Sequence, residues 1–130
     1  MNLSTQFPID REKAEKGVEL PLGDAFFSLT YYESSKAQIY FISQLKKYSL
    51  EMGHEEATIK AMRDTLINVV VLGWRNLKEG EGESEVEVVY SKEECSRILE
   101  QYVGLDVALM NLSLTVQNYK RELKTEIGGK

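Results

Sequence analysis

Few side chains in this sequence could do covalent or metal chemistry. There is one histidine, His54, and one cysteine, Cys95. A structural zinc site needs four ligands, mostly Cys and His, so no zinc set can be assembled. A Ser, His and Asp grouping would have to form around His54, at a predicted helix start, and its surroundings do not suggest one. Neither GxxxxGK[ST] nor GxGxxG occurs, so no phosphate cradle is signalled. The acidic pairs Glu55–Glu56 and Glu93–Glu94 fall in predicted first helical turns, where the helix dipole already favours negative charge. The stretch KEGEGESE, residues 78–85, is acidic, but its spacing does not match an EF-hand loop. Cys95 lies on an apolar helical face and reads as a small core residue. The inventory gives no catalytic residue, no cofactor and no metal site, and the chain is expected to bind rather than catalyse.

The elements that would position a binding surface are organised around His54–Leu77. Ile59, Met62, Leu66, Val69, Val70, Gly73 and Leu77 recur at three- and four-residue steps, which predicts one face of a helix. Val71, Leu72 and Trp74 make its second half apolar all round, so it is expected to be the central helix, covered on every side. Gly73 on the main apolar face would let another backbone come close. Before it, Val18, Leu20 and Leu22, then Gly23-Asp24, then Ala25, Phe27, Leu29 and Tyr31 predict a β-hairpin, with Pro21 on an edge strand. A helix starting near Ser34 or Ser35 carries Ala37, Phe41, Leu45, Tyr48 and Met52 on one stripe and ends at Gly53. The short link to the next helix makes an antiparallel pair.

After Leu77 the acidic stretch reads as a solvated, mobile loop. Val86, Val88, Val89 and Tyr90 suggest a short strand added to the hairpin. Ser91 and Glu94 form a capping box. The helix they open places Cys95, Ile98, Leu99 and Tyr102 on one face and stops at Gly104. The last helix is expected from about Asp106 to Glu126, with Leu109, Leu112, Val116, Tyr119 and Leu123 facing the core. A second stripe, Val107, Met110 and Leu114, lies nearly opposite and calls for a second covering. It is the candidate partner-binding surface. The fold class expected is mainly α: a small domain of about four helices with an N-terminal β-hairpin. One domain spans residues 17–122, between a flexible arm (1–16) and a flexible tail (123–130).

The chain has 130 residues, 42% of them hydrophobic and 28% charged, which suits one globular domain. Its net charge of −5, with no basic patch, argues against nucleic acid or an anionic membrane as partner. No apolar run reaches the ~18 residues of a membrane span. The N-terminus MNLSTQFPIDREK lacks the features of a signal peptide. A lone cysteine makes no internal disulfide and fits a reducing cytoplasm.

Several features together resemble the tail assembly chaperones of long-tailed bacteriophages (siphophages). They are VVVLGWRNL, a charged loop, then VVYSKEECSRIL, preceded by a hairpin with a Phe-rich second strand and followed by a helix pair. The likeness spans roughly residues 18–120. It implies a protein that binds the tape measure protein and keeps that long helical chain soluble until tail tube subunits polymerise around it. It also implies a longer, frameshifted form that recruits the tail tube protein. Gly128-Gly129-Lys130 is compatible with a slippery run of G and A bases. Self-association is expected, as is action in the host cytoplasm without retention in the virion. A helical adaptor or regulatory protein for one folded partner, or a minor tail completion protein, would need the same apolar stripe.

Overall fold

The computed structural model describes residues 1–122. The chain runs α1 (Leu3–Gln6), α2 (Arg11–Lys16), β1 (Val18–Leu22), β2 (Ala25–Leu29), α3 (Ser35–Ser49), α4 (His54–Thr65), β3 (Val71–Arg75), β4 (Lys78–Glu79), β5 (Val86–Glu87), α5 (Lys92–Gln101) and α6 (Leu105–Leu114). β1, β2 and β3 form one antiparallel sheet in that order, while β4 and β5 form a separate ribbon. The fold is mixed α/β. The expectation of a mainly α domain of about four helices with a simple N-terminal hairpin is corrected by the third strand and by the six helices.

The correction originates in the central stretch. α4 stops at Thr65, a single π-helical turn covers Leu66–Val70, and the chain then runs straight into β3. Val69, Val70 and Val71 are consecutive β-branched residues, which crowd a helix and suit a pleated strand. The hairpin also offers a partner, because β2 carries apolar residues on both faces and has a second edge to fill. Phe26 pairs with Arg75, Phe27 with Trp74, Ser28 with Gly73 and Leu29 with Val71. The register shift between Ser28 and Leu29 leaves Leu72 exposed in a bulge. Gly73 is no close-approach glycine, since a Cβ there would meet nothing within 4 Å.

The hairpin forms with Leu22 opposite Ala25 across Gly23-Asp24, and Gly23 takes the positive φ that the turn requires. Ala25, Phe27 and Leu29 alternate into the core. α3 is capped by Ser34, whose oxygen accepts from the Ala37 N–H, rather than by Ser35. Gly53 caps the start of α4 rather than the end of α3. The two helices pack through Tyr48, Ala57 and Ala61, with Phe41, Leu45 and Met52 beside them.

The last helix ends at Leu114, well short of Glu126. A 3-10 turn over Val116–Tyr119 folds the chain back, held by the Asn118 amide donating to the Leu112 carbonyl at 2.9 Å. Tyr119 is fully buried against Leu29, and its hydroxyl donates to the Leu29 and Thr30 carbonyls at 3.2 and 3.1 Å. Burial pushes that phenol well above its ordinary pKa. This return also holds the N-terminal arm. The Asp10 N–H donates to the Tyr119 carbonyl, the Arg121 N–H to that of Pro8, and the Tyr31 N–H to that of the buried Ala14. Within residues 1–16, Leu3–Gln6 and Arg11–Lys16 are helical, and Arg121 Nη2 donates to the Ser4 and Phe7 carbonyls. The tail 123–130, Leu123 of the expected core face and Gly128-Gly129-Lys130 lie outside the described residues.

Val86 pairs with Glu79 in the ribbon and does not join the hairpin. The acidic stretch is therefore the turn of a β-ribbon. The ribbon lies beside β3, with the Val88 N–H donating to the Leu77 carbonyl and the Trp74 indole N–H to that of Val88.

Candidate partner-binding face

The site is built where α5 meets α6. Ser91 caps α5 by accepting from the Glu94 N–H at 3.0 Å, so the capping spacing works as expected on that side. Cys95, Ile98 and Leu99 then point into the core. Tyr102 leaves helical geometry at the C-cap, and Gly104 takes φ 96°, which lets the chain turn and start α6 one residue later. The corner leaves Val103 fully exposed and Val107 55% exposed.

α6 is clamped from its other side. Asp106 is only 7% exposed, its Oδ2 accepts from Arg63 Nε of α4 at 3.1 Å, and its Oδ1 accepts from the Val107 N–H at 2.8 Å. With Leu109 and Ser113 it forms the buried side of the helix. Val107, Met110 and Leu114 run along the flank of that side rather than opposite to it. Val107 is exposed, and Met110 and Leu114 are half-buried against the main core. The stripe named from the sequence is therefore exposed at Val107 and half-buried at Met110 and Leu114.

A second apolar surface opens below the corner. A cleft of about 530 Å³ separates the ribbon from α5, floored by Leu77, Val88, Ile98 and Leu105 and walled by Tyr102 and Glu79. One side chain ties the ribbon to α5 beside it. The Arg97 guanidinium donates to Glu79 at 2.7 and 3.1 Å, to Glu94 at 2.7 and 3.0 Å, and to Gln101 at 3.0 Å. The Tyr102 hydroxyl also donates to Glu79. These donors hold the Glu79 carboxyl down at about 2, the Arg97 hydrogen bonds contributing most. From the sequence Tyr102 was placed on one helical face with Cys95, Ile98 and Leu99, and this cluster was not found. Glu94 and Gln101 stand at helical spacing from Arg97 on α5 and could have been read from the sequence, whereas Glu79 comes from β4.

The residues with chemical potential are dispersed. Cys95 is buried in apolar surroundings that push its thiol up to about 12, which keeps it protonated. His54 is exposed at the start of α4. Among the described residues no three His, Cys, Asp or Glu side chains are grouped to hold a metal ion. No helix among them is long and apolar enough to cross a membrane.

A family model described as the YdaY prophage protein matches residues 30–130. The chain belongs to that family. Its origin is therefore phage-derived, as the likeness to phage tail proteins implied at the coarse level. The match takes in β3, the ribbon, α5 and α6, and so the whole of the exposed flank and the cleft, while the hairpin and the arm precede it. No curated protein and no solved structure matches the chain.

Proposed function

We propose that this prophage protein is a tail assembly chaperone, which binds the tape measure protein and keeps it soluble while tail tube subunits assemble around it. The observation that carries the reading is the aliphatic flank of α6. Val103, in the turn before α6, and Val107, in its first turn, stand in solvent beside the side of the helix that is clamped into the core. An exposed apolar face on a rigid helix is the complement of an amphipathic client helix. Met110 continues the face with a flexible side chain that adapts to changing contours. Weak single contacts suffice where many copies line one long client, because neighbouring sites raise one another's effective concentration. On this reading the protein acts in the cytoplasm of the host and leaves before the virion is complete. A longer frameshifted form would recruit the tail tube protein, and a gene with no slippery heptamer near its end rules that form out.

The test is co-expression with the tape measure protein of the same prophage, followed by affinity capture. The wild-type chain should retain the client in soluble form. Val103→Asp and Val107→Asp should lose it with an unchanged circular dichroism spectrum. Capture undiminished in both variants would remove the α6 flank from the reading.

A further inference from the structure

The molecule divides its charge in a way that the α6 flank does not use. α3 carries Lys36, Lys46 and Lys47 and no acidic residue. The ribbon and its turn carry Glu79, Glu81, Glu83, Glu85 and Glu87 against Lys78 alone. Among the described residues, Lys36, Lys46 and Lys47 form no ion pair, and neither do Glu81, Glu83 and Glu87.

Each charged surface also exposes aliphatic residues. On the outer side of α3, Lys36, Ile39, Ser43 and Lys46 follow helical spacing, with Ile42 beside them, and Ile39 and Ile42 are 69% and 49% exposed. Both isoleucines point away from the Tyr48–Ala57–Ala61 packing that holds α3 on α4. The ribbon exposes Val86 and the segment just after it exposes Val89, and the apolar cleft lies between the ribbon and α5. One surface is a basic helix with projecting aliphatic side chains. The other is an acidic wall with an apolar recess.

We infer that α3 of one copy docks against the ribbon and the ribbon–α5 cleft of the next, with Ile39 and Ile42 meeting apolar surface and the three lysines facing the ribbon carboxylates. The two patches are unlike, and the proposed contact runs head-to-tail, each copy offering α3 to one neighbour and its ribbon to another. Such contacts propagate into rings or open filaments rather than closing as a symmetric dimer. Val107 is not among the residues that line the cleft, so the series would present it repeatedly along one assembly. The inference stands on charge and shape alone and does not need the tape measure protein to be the client.

The experiment is a charge-swap complementation of the full chain, read by sedimentation velocity over a range of concentrations. Wild type should self-associate, and the association should weaken as salt rises, because exposed ion pairs are screened. One variant combines Lys36→Glu, Lys46→Glu and Lys47→Glu. The other combines Glu81→Lys, Glu83→Lys and Glu87→Lys. Each alone presents two like-charged surfaces and should sediment as a monomer. The two mixed should recover assemblies, because each then offers the opposite charge at both of its surfaces. Ile39→Asp with Ile42→Asp should be monomeric and folded by circular dichroism. A wild-type chain that is monomeric at every concentration overturns the inference, as does a mixture that fails to assemble. Association through these surfaces that is indifferent to both charge reversals overturns it equally, as does a cleft that captures only the client protein.

Discussion

The sheet side of this molecule and its α5–α6 corner are built from the same kinds of side chain and put them to opposite uses. On the sheet side, Phe27, Leu29, Leu66, Val70 and Tyr119 are sealed, and the hydroxyl of Tyr119 is spent on backbone carbonyls. At the corner, Val103 and Val107 stand in water although they are as apolar as the residues below them. The difference lies in the backbone. The sheet gives each inward side chain a facing layer, whereas a glycine turn brings α6 off the end of α5 with one flank beyond the core. Hydrophobicity alone therefore does not say which apolar residues are structural; position relative to a facing layer does.

That contrast can be broken by substitution on each side. The largest loss is expected from Phe27→Ala, which empties a fully buried site against Trp74, whose ring centroid is 5.8 Å away. Urea unfolding should show a loss of about 3–5 kcal/mol, the usual range for a buried Phe. Tyr119→Phe keeps the ring and removes the donor to two buried carbonyls, so its cost should be smaller, about 1–2 kcal/mol by the same measurement. Equal losses for the two would mean that the hydrogen bonds rather than the packing hold the C-terminal return.

The corner should respond to pH in a defined direction. Glu79 is held at about 2, below the ordinary carboxyl value of 4.5, so its stabilising pairing is complete above 4.5 and is lost as pH falls through about 2. The ribbon amides should lose hydrogen-exchange protection across that window, while those of β2 keep theirs. Glu79→Gln should flatten the dependence. The smallest effect belongs to Val107→Asp, at a surface position near a helix start that tolerates an acid. Its unfolding free energy should stay within about 0.5 kcal/mol of wild type. A loss as large as that of Phe27→Ala would make the flank part of the core.

Much of the local structure was legible in the residues, and the reason is local chemistry. Period-two aromatics and Gly23 announced the hairpin, Ser91 announced α5, and the Phe41–Leu45–Tyr48 stripe announced the α3–α4 pair. The central stretch misled because Leu66–Leu77 satisfies helical spacing and is also a run of strand-forming residues. Only the open edge of β2, forty residues earlier in round terms, decides between them. Val107, Met110 and Leu114 could be picked out from periodicity, but their unequal exposure could not, since the packing of α6 involves residues on other elements, such as Arg63 of α4 paired with Asp106. The Arg97–Glu79 contact was hidden in a similar way, because it joins α5 to β4.

The central claim is that the flank of α6 faces a client helix. A photo-reactive phenylalanine analogue placed at Val107, and separately at Ser43 on α3, tests it directly in cells expressing the tape measure protein. Irradiation should join the Val107 position to the tape measure protein, while the Ser43 position joins to a second copy of this chain. A tape measure adduct from Ser43 with none from Val107 would contradict the account.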